Sequence, residues 1–131
     1  MKCSICGKEI EGYSNNAEPV TYGICCGNCN NNVVIPVRLF HAGYSKTNAM
    51  LVKTDGTIEL VKPEAEKFAL KELQKCVDGY IEIYPSRNKK YVILVNEEGL
   101  IHNLPYNYIA EKILAVRAVG NVLICPANLF E

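Results

Sequence analysis

The chain has 131 residues, 49% of them hydrophobic and 21% charged, with 14 Lys plus Arg balanced by 14 Asp plus Glu. That length suits one domain, or a small domain carrying a mini-domain, and is too short for a barrel enzyme. Neutrality and a pI near 6.7 exclude a generally basic coat for nucleic acid, which confines any such contact to a local patch.

Residues 1 to 32 are rich in Cys, Gly and Asn and hold too few large apolar groups for a core of their own, so something else must staple them. Residues 33 to 40 are apolar, and residues 41 to 48 are small, polar and unpatterned, which reads as a linker. The division expected is therefore a four-cysteine mini-domain over 1–41 and a second domain over 49–131. Ala49–Lys53 and Thr57–Val61 flank an Asp55-Gly56 turn, the signature of a hairpin. Pro63 suits a first helical position, and Ala65, Phe68, Ala69, Leu73, Cys76 and Val77 then share one helical face up to Asp78-Gly79. Tyr80–Tyr84 alternates as a strand, residues 85–90 turn, and Tyr91–Val95 reads as a more fully buried strand. Leu100-Ile101 extends a short strand, Pro105 to about Val116 forms a second helix, and Val119–Cys125 is the last strand, stopped by Pro126. The order ββαββαβ predicts an α+β fold, a mainly antiparallel sheet with both helices on one face.

Seven cysteines are the strongest departure from ordinary composition, and five of them lie within the first 29 residues. Cys3-x-x-Cys6 and Cys26-x-x-Cys29 are two knuckles, each of which aims two sulfurs to one side of a tight turn. Together they supply a tetrahedral cage of four thiolates. Four thiolates leave no position for a catalytic water, so the expected role is a structural zinc site in a zinc-ribbon or treble-clef-like mini-domain, with iron the rival metal. A redox dithiol is disfavoured, because that chemistry usually sits at a helix start in a βαβ setting. Cys25 breaks the register with Cys29 and stays outside the ligand set, although exchange with Cys26 is left open. Cys76 and Cys125 read as small core residues.

Elsewhere catalytic signals are lacking. His41 and His102 have no Cys, Ser or acidic partner at a motif spacing, and no P-loop, dinucleotide fingerprint, nucleophile elbow or H-E-x-x-H occurs. The expectation is a protein that is not an enzyme. Arg87, Lys89 and Lys90, between Tyr84 and Tyr91, form the one basic cluster with aromatic neighbours; it suits phosphate contact and stacking, and equally a turn kept soluble by charge. No apolar export segment opens the sequence and no run approaches the roughly 20 residues that span a bilayer, so a soluble, cytoplasmic protein without membrane contact is expected.

Lys53-Thr-Asp-Gly-Thr57, Gly79-Tyr-Ile-Glu82, Asn96-Glu-Glu-Gly99, Leu104-Pro-Tyr-Asn107 and Gly120-Asn-Val-Leu-Ile124 carry a resemblance. On these residues the stretch 50–125 resembles a domain-of-unknown-function family encoded by phages, conjugative plasmids and integrated mobile elements of Firmicutes. Residues 3 to 39 look like the zinc-ribbon segment of short phage proteins. The resemblance implies a mobile-element accessory protein whose setting suggests counter-defence work, and no reaction. It makes Asn96, Glu97, Glu98 and Asn107 part of one turn-and-helix-start unit, in which Gly99 relieves a strained turn and Asn107 caps the second helix. This loop is the expected place for a ligand. The leading expectation is a zinc-stabilised binding protein with a host protein, in the host cytoplasm, as partner. The alternatives are a nucleic-acid-binding module and a binder of a small molecule or nucleotide signal. The oligomeric state is left open.

Overall fold

The structure, a computed structural model, describes residues 1–130. The first knuckle is a tight loop in which Lys2 bridges Glu9 and the Gly7 N–H donates to Cys3 O at 2.9 Å. Gly7 sits at φ +78°, a conformation that excludes most side chains. A short hairpin follows, β1 (Asn15–Asn16) against β2 (Ile24–Cys25), and the chain then enters a helical rod. The rod starts as α1 (Gly27–Cys29), widens into a π-helical stretch (Asn30–Val34) and continues as α2 (Ile35–His41). Pro36 explains the widening: it has no N–H to donate and its ring crowds the preceding turn, so the Ile35 N–H reaches back five residues to Asn30 O.

Five antiparallel strands build the main sheet in the order β4-β3-β7-β6-β5. They are β3 (Ala49–Val52), β4 (Ile58–Val61), β5 (Ile81–Tyr84), β6 (Tyr91–Asn96) and β7 (Val122–Pro126). With α3 (Leu70–Val77) and α4 (Tyr108–Leu114), residues 49–126 run ββαββαβ, and α5 (Ala127–Phe130) adds a final turn. The α+β class and the antiparallel sheet agree with the expectation.

The two helices do not share a face. Side chains alternate across a strand, so Met50, Val52, Val122 and Ile124 point one way and Ala49, Leu51, Leu123 and Cys125 the other. The first set packs with Ile109 and Ala110 of α4, the second with Leu73 of α3 and Leu129 of α5. The α4 face also takes the N-terminal rod: Val33, Val34, Val37 and Phe40 are completely buried there and share one core with Met50, Val52 and Ile93. Cys3, Ile5, Ala17, Val20, Cys25 and Cys29 join the same cluster. The rod, amphipathic with a face at i, i+1, i+4 and i+7, and α4 thus cover one face of the sheet, and α3 with α5 covers the other.

Local boundaries also differ. Residues 63–69 precede α3 as an irregular segment, because Phe68 is drawn into the α3-side core and its N–H donates to Leu129 O at 2.8 Å. The Glu72 carboxylate then accepts from the N–H groups of Ala69 and Glu64 at 3.2 and 3.3 Å and starts the helix late. Leu100 and Ile101 lie in a turn instead of a strand. Residues 44–46 of the expected linker form a 3-10 turn.

Candidate metal centre

The second knuckle is the first turn of the rod. Cys26 occupies the N-cap position and its sulfur accepts from the Cys29 N–H at 3.4 Å. In the first knuckle the Cys3 sulfur accepts from the N–H groups of Ile5 and Cys6 at 3.4 and 3.5 Å. Arg38 holds the intervening hairpin against the rod, its guanidinium donating to Glu18 O at 2.9 and 2.7 Å and to Asn16 O at 3.1 Å. A knuckle, a hairpin and a helix whose first turn carries the second cysteine pair make the treble-clef arrangement.

The sulfurs of Cys3, Cys6, Cys26 and Cys29 all lie within 4.8 Å of one another, and those of Cys6 and Cys26 are 3.9 Å apart. Four sulfurs about 2.3 Å from a tetrahedral ion would be spaced about 3.8 Å apart, so the set fits such an ion with small adjustments. Cys3 and Cys29 are buried, Cys26 half-buried and Cys6 exposed. Burial pushes the Cys3 thiol up, but the backbone N–H groups of Cys6, Cys26 and Ile5 outweigh it and bring it down to about 6. For Cys29, burial and the neighbouring sulfurs both push the thiol well up. Burial also raises Cys6, against a donor from the backbone of Lys8. Thiols packed this closely without a counter-charge oppose one another's ionisation, and a divalent cation relieves that opposition. Cys25 is buried with its sulfur 3.9 Å from Asn16 O, outside the four-sulfur cluster, and burial raises its thiol. The helix start that redox dithiols favour is present at Cys26, contrary to the expectation. The parallel strand pair of a βαβ unit is absent among the described residues, where every paired strand is antiparallel, and the two cysteine pairs converge on one another.

The other candidate residues are spread out. The fully buried Asn107 donates from Nδ2 to Val52 O and Gly120 O at 2.9 and 3.0 Å, and its Oδ1 accepts from the Ala110 N–H at 3.0 Å. It caps α4 and pins the end of β3 to the approach to β7. Asn96, also buried, donates to Val77 O and Asp78 O and accepts from the Glu98 N–H, closing the end of α3 onto the 96–99 turn. Both amides are spent on backbone groups and are not free for a ligand. Glu98 lies 3.8 Å from His102, and Glu97 is exposed. Gly99 is required by space and not by strain: a Cβ there would meet Val119 Cγ2 at 2.7 Å. Arg87, Lys89 and Lys90 are exposed on the β5–β6 turn, shaped by Ser86 and Asn88. Cys76 and Cys125 sit in the α3-side core, with thiols raised by burial. The sequence reading missed the helical rod and Arg38; the spacing of Val33, Val34, Val37 and Phe40 carried the signal, which Pro36 obscured.

The fold and the site together define a four-cysteine treble-clef-like unit packed on an α+β domain. Residues 47–128 match the family described as Domain of unknown function (DUF3846), and the chain belongs to that family. No curated protein and no solved structure matches it. Among the described residues no helix is long and apolar enough to cross a membrane.

Proposed function

We propose that this is a non-enzymatic accessory protein of a phage or mobile element that acts by binding a host protein in the cytoplasm, with a structural zinc ion in its N-terminal unit. The donor set carries the reading. Four thiolates complete a tetrahedron, so an ion held by Cys3, Cys6, Cys26 and Cys29 has no position left for substrate or water. Zinc suits this set better than iron on prevalence alone, since the surroundings offer nothing that selects between them. Asn96 and Asn107, the buried polar groups of the loop expected to hold a ligand, are committed to backbone partners, which favours a macromolecular partner over a small one.

The test has two arms. Native mass spectrometry of the purified chain should show one zinc per molecule, and substituted cobalt should give the strong visible bands of a four-thiolate site. Tagged, metal-loaded protein should then capture one host protein whose binding is saturable when both components are purified. Metal-dependent turnover of a substrate would overturn the non-enzymatic reading, and absence of any saturable protein partner would overturn the binding one.

A further inference from the structure

β5 forms an edge of the main sheet, and its pairing fixes which backbone groups face outward. The Glu97 N–H donates to Tyr80 O at 2.9 Å and the Ala127 N–H to Lys90 O at 2.8 Å. Combined with the registers Glu82↔Val95 and Val92↔Cys125, these bonds assign the even-numbered residues of β6 to β7 and the odd-numbered ones to β5. Tyr80, Glu82 and Tyr84 therefore turn their N–H and C=O groups towards β6. The N–H and C=O groups of Ile81 and Ile83 point away from the sheet, an open template for another strand.

The side chains around this edge have a definite pattern. Ile81 and Ile83 lie on the α3 face, and Ile83 is 57% exposed. On the other face Glu82 and Tyr84 border a groove of ≈ 350 Å³ walled by Glu97, Leu100, Ile101 and Arg117. Leu100 and Ile101 are 81% and 76% exposed, an unusual expense of apolar surface. Glu82 and Glu97 make no ion pair among the described residues. A second copy fits poorly here. Antiparallel self-pairing that used all the outward groups would set Glu82 directly against its own equivalent, in the closely spaced type of pair where like charges repel.

We propose that the β5 edge accepts an extended segment of a partner protein as a sixth strand, with a lysine or arginine opposite Glu82 and apolar residues opposite Ile81 and Ile83. The outward backbone groups supply the hydrogen bonds. The basic side chain lays its apolar stem on Leu100 and Ile101 and its charge beside Glu82 and Glu97. This rests on the binding-protein reading and adds to it the surface and the partner's chemistry.

Fluorescence anisotropy with the full metal-loaded chain tests it, using a labelled peptide with an isoleucine-lysine-isoleucine centre and a counterpart with glutamate in the middle. The lysine peptide should bind about three- to tenfold tighter, the range expected for exchanging an opposite for a like cross-strand charge. Glu82→Lys, at an exposed position, should reverse that order. Methylating the peptide's backbone amides should abolish binding without touching the protein, and Ile83→Pro, which removes an outward N–H, should do the same from the other side. Absence of saturable binding, an order unchanged by Glu82→Lys, or binding that survives amide methylation overturns the proposal. A concentration-dependent dimer strengthened by Glu82→Gln also overturns it, in favour of a second copy. A host partner whose affinity ignores Glu82→Lys and Ile83→Pro sinks the edge assignment while leaving the binding-protein reading standing.

Discussion

Replacing Asn107 with alanine removes one side chain from a point where three parts of the chain meet. Its amide joins the end of β3 through Val52 O, the approach to β7 through Gly120 O, and the first turn of α4 through the Ala110 N–H. Loss of the helix cap alone costs about 1 kcal/mol. Each of the two carbonyls then loses a bond worth about 1 kcal/mol net, in a site with no exposure to water. The expected destabilisation is about 3 kcal/mol, a large share of the roughly 5–15 kcal/mol that holds a domain together. Urea unfolding followed by circular dichroism measures it as a lowered midpoint with an unchanged slope. Asn107→Asp sharpens the test. Aspartate keeps the acceptor for Ala110 but aims a second oxygen at two carbonyl oxygens, so at neutral pH it should be at least as harmful as alanine. Part of that loss should return in acid, where the protonated carboxyl can donate one bond. A cost below about 1 kcal/mol for alanine, or an aspartate variant more stable than the alanine one at pH 7, would falsify the structural role assigned to this amide.

Three further outcomes are expected. Stripping the metal with a chelator, or Cys26→Ser, should lower the melting temperature of the whole chain in one transition, because Val33, Val34, Val37 and Phe40 of the rod share a core with β3 and β6; amide signals of residues 49–126 unchanged by metal removal would show that the two parts are uncoupled. Ala115→Gly should stabilise by about 0.5–1 kcal/mol, since Ala115 ends α4 at φ 55° and ψ 30°, where glycine is at ease and alanine is not; a lowered unfolding midpoint would contradict this. The Thr57 hydroxyl and N–H, at 2.6 and 3.0 Å, hold the Asp55 carboxyl below its ordinary range. Its contribution is thus complete above the ordinary aspartate range and is lost as the pH falls through the lowered value. Asp55→Asn should flatten the acid limb of a stability–pH profile, and an unaltered limb would count against the assignment.

Cysteine spacing, strand alternation and turn chemistry are local properties, and they determined much of this protein by themselves. Cys3, Cys6, Cys26 and Cys29 read as two knuckles because a two-residue gap lets both sulfurs of a pair reach one ion from a single turn, and Asp55-Gly56 suits a hairpin because it tolerates the backbone angles of a tight turn. The ββαββαβ order of residues 49–126 followed from periodicity. Tertiary packing decided the rest. Pro36 masked a helix that forms because its apolar face is taken up by the sheet, and α3 packs on the opposite face. Phe68 prefers the core and a bond to Leu129 over an earlier helix start. Asn96 and Asn107, which the family resemblance placed in a candidate ligand loop, proved to be bound to carbonyls far along the chain, Val52 among them. Likewise the exposure of Leu100, Ile101 and the outer edge of β5 depends on which strand ends the sheet. Such features reside in partners distant in sequence, and a buried polar group reveals its role only when the groups that satisfy it are in place.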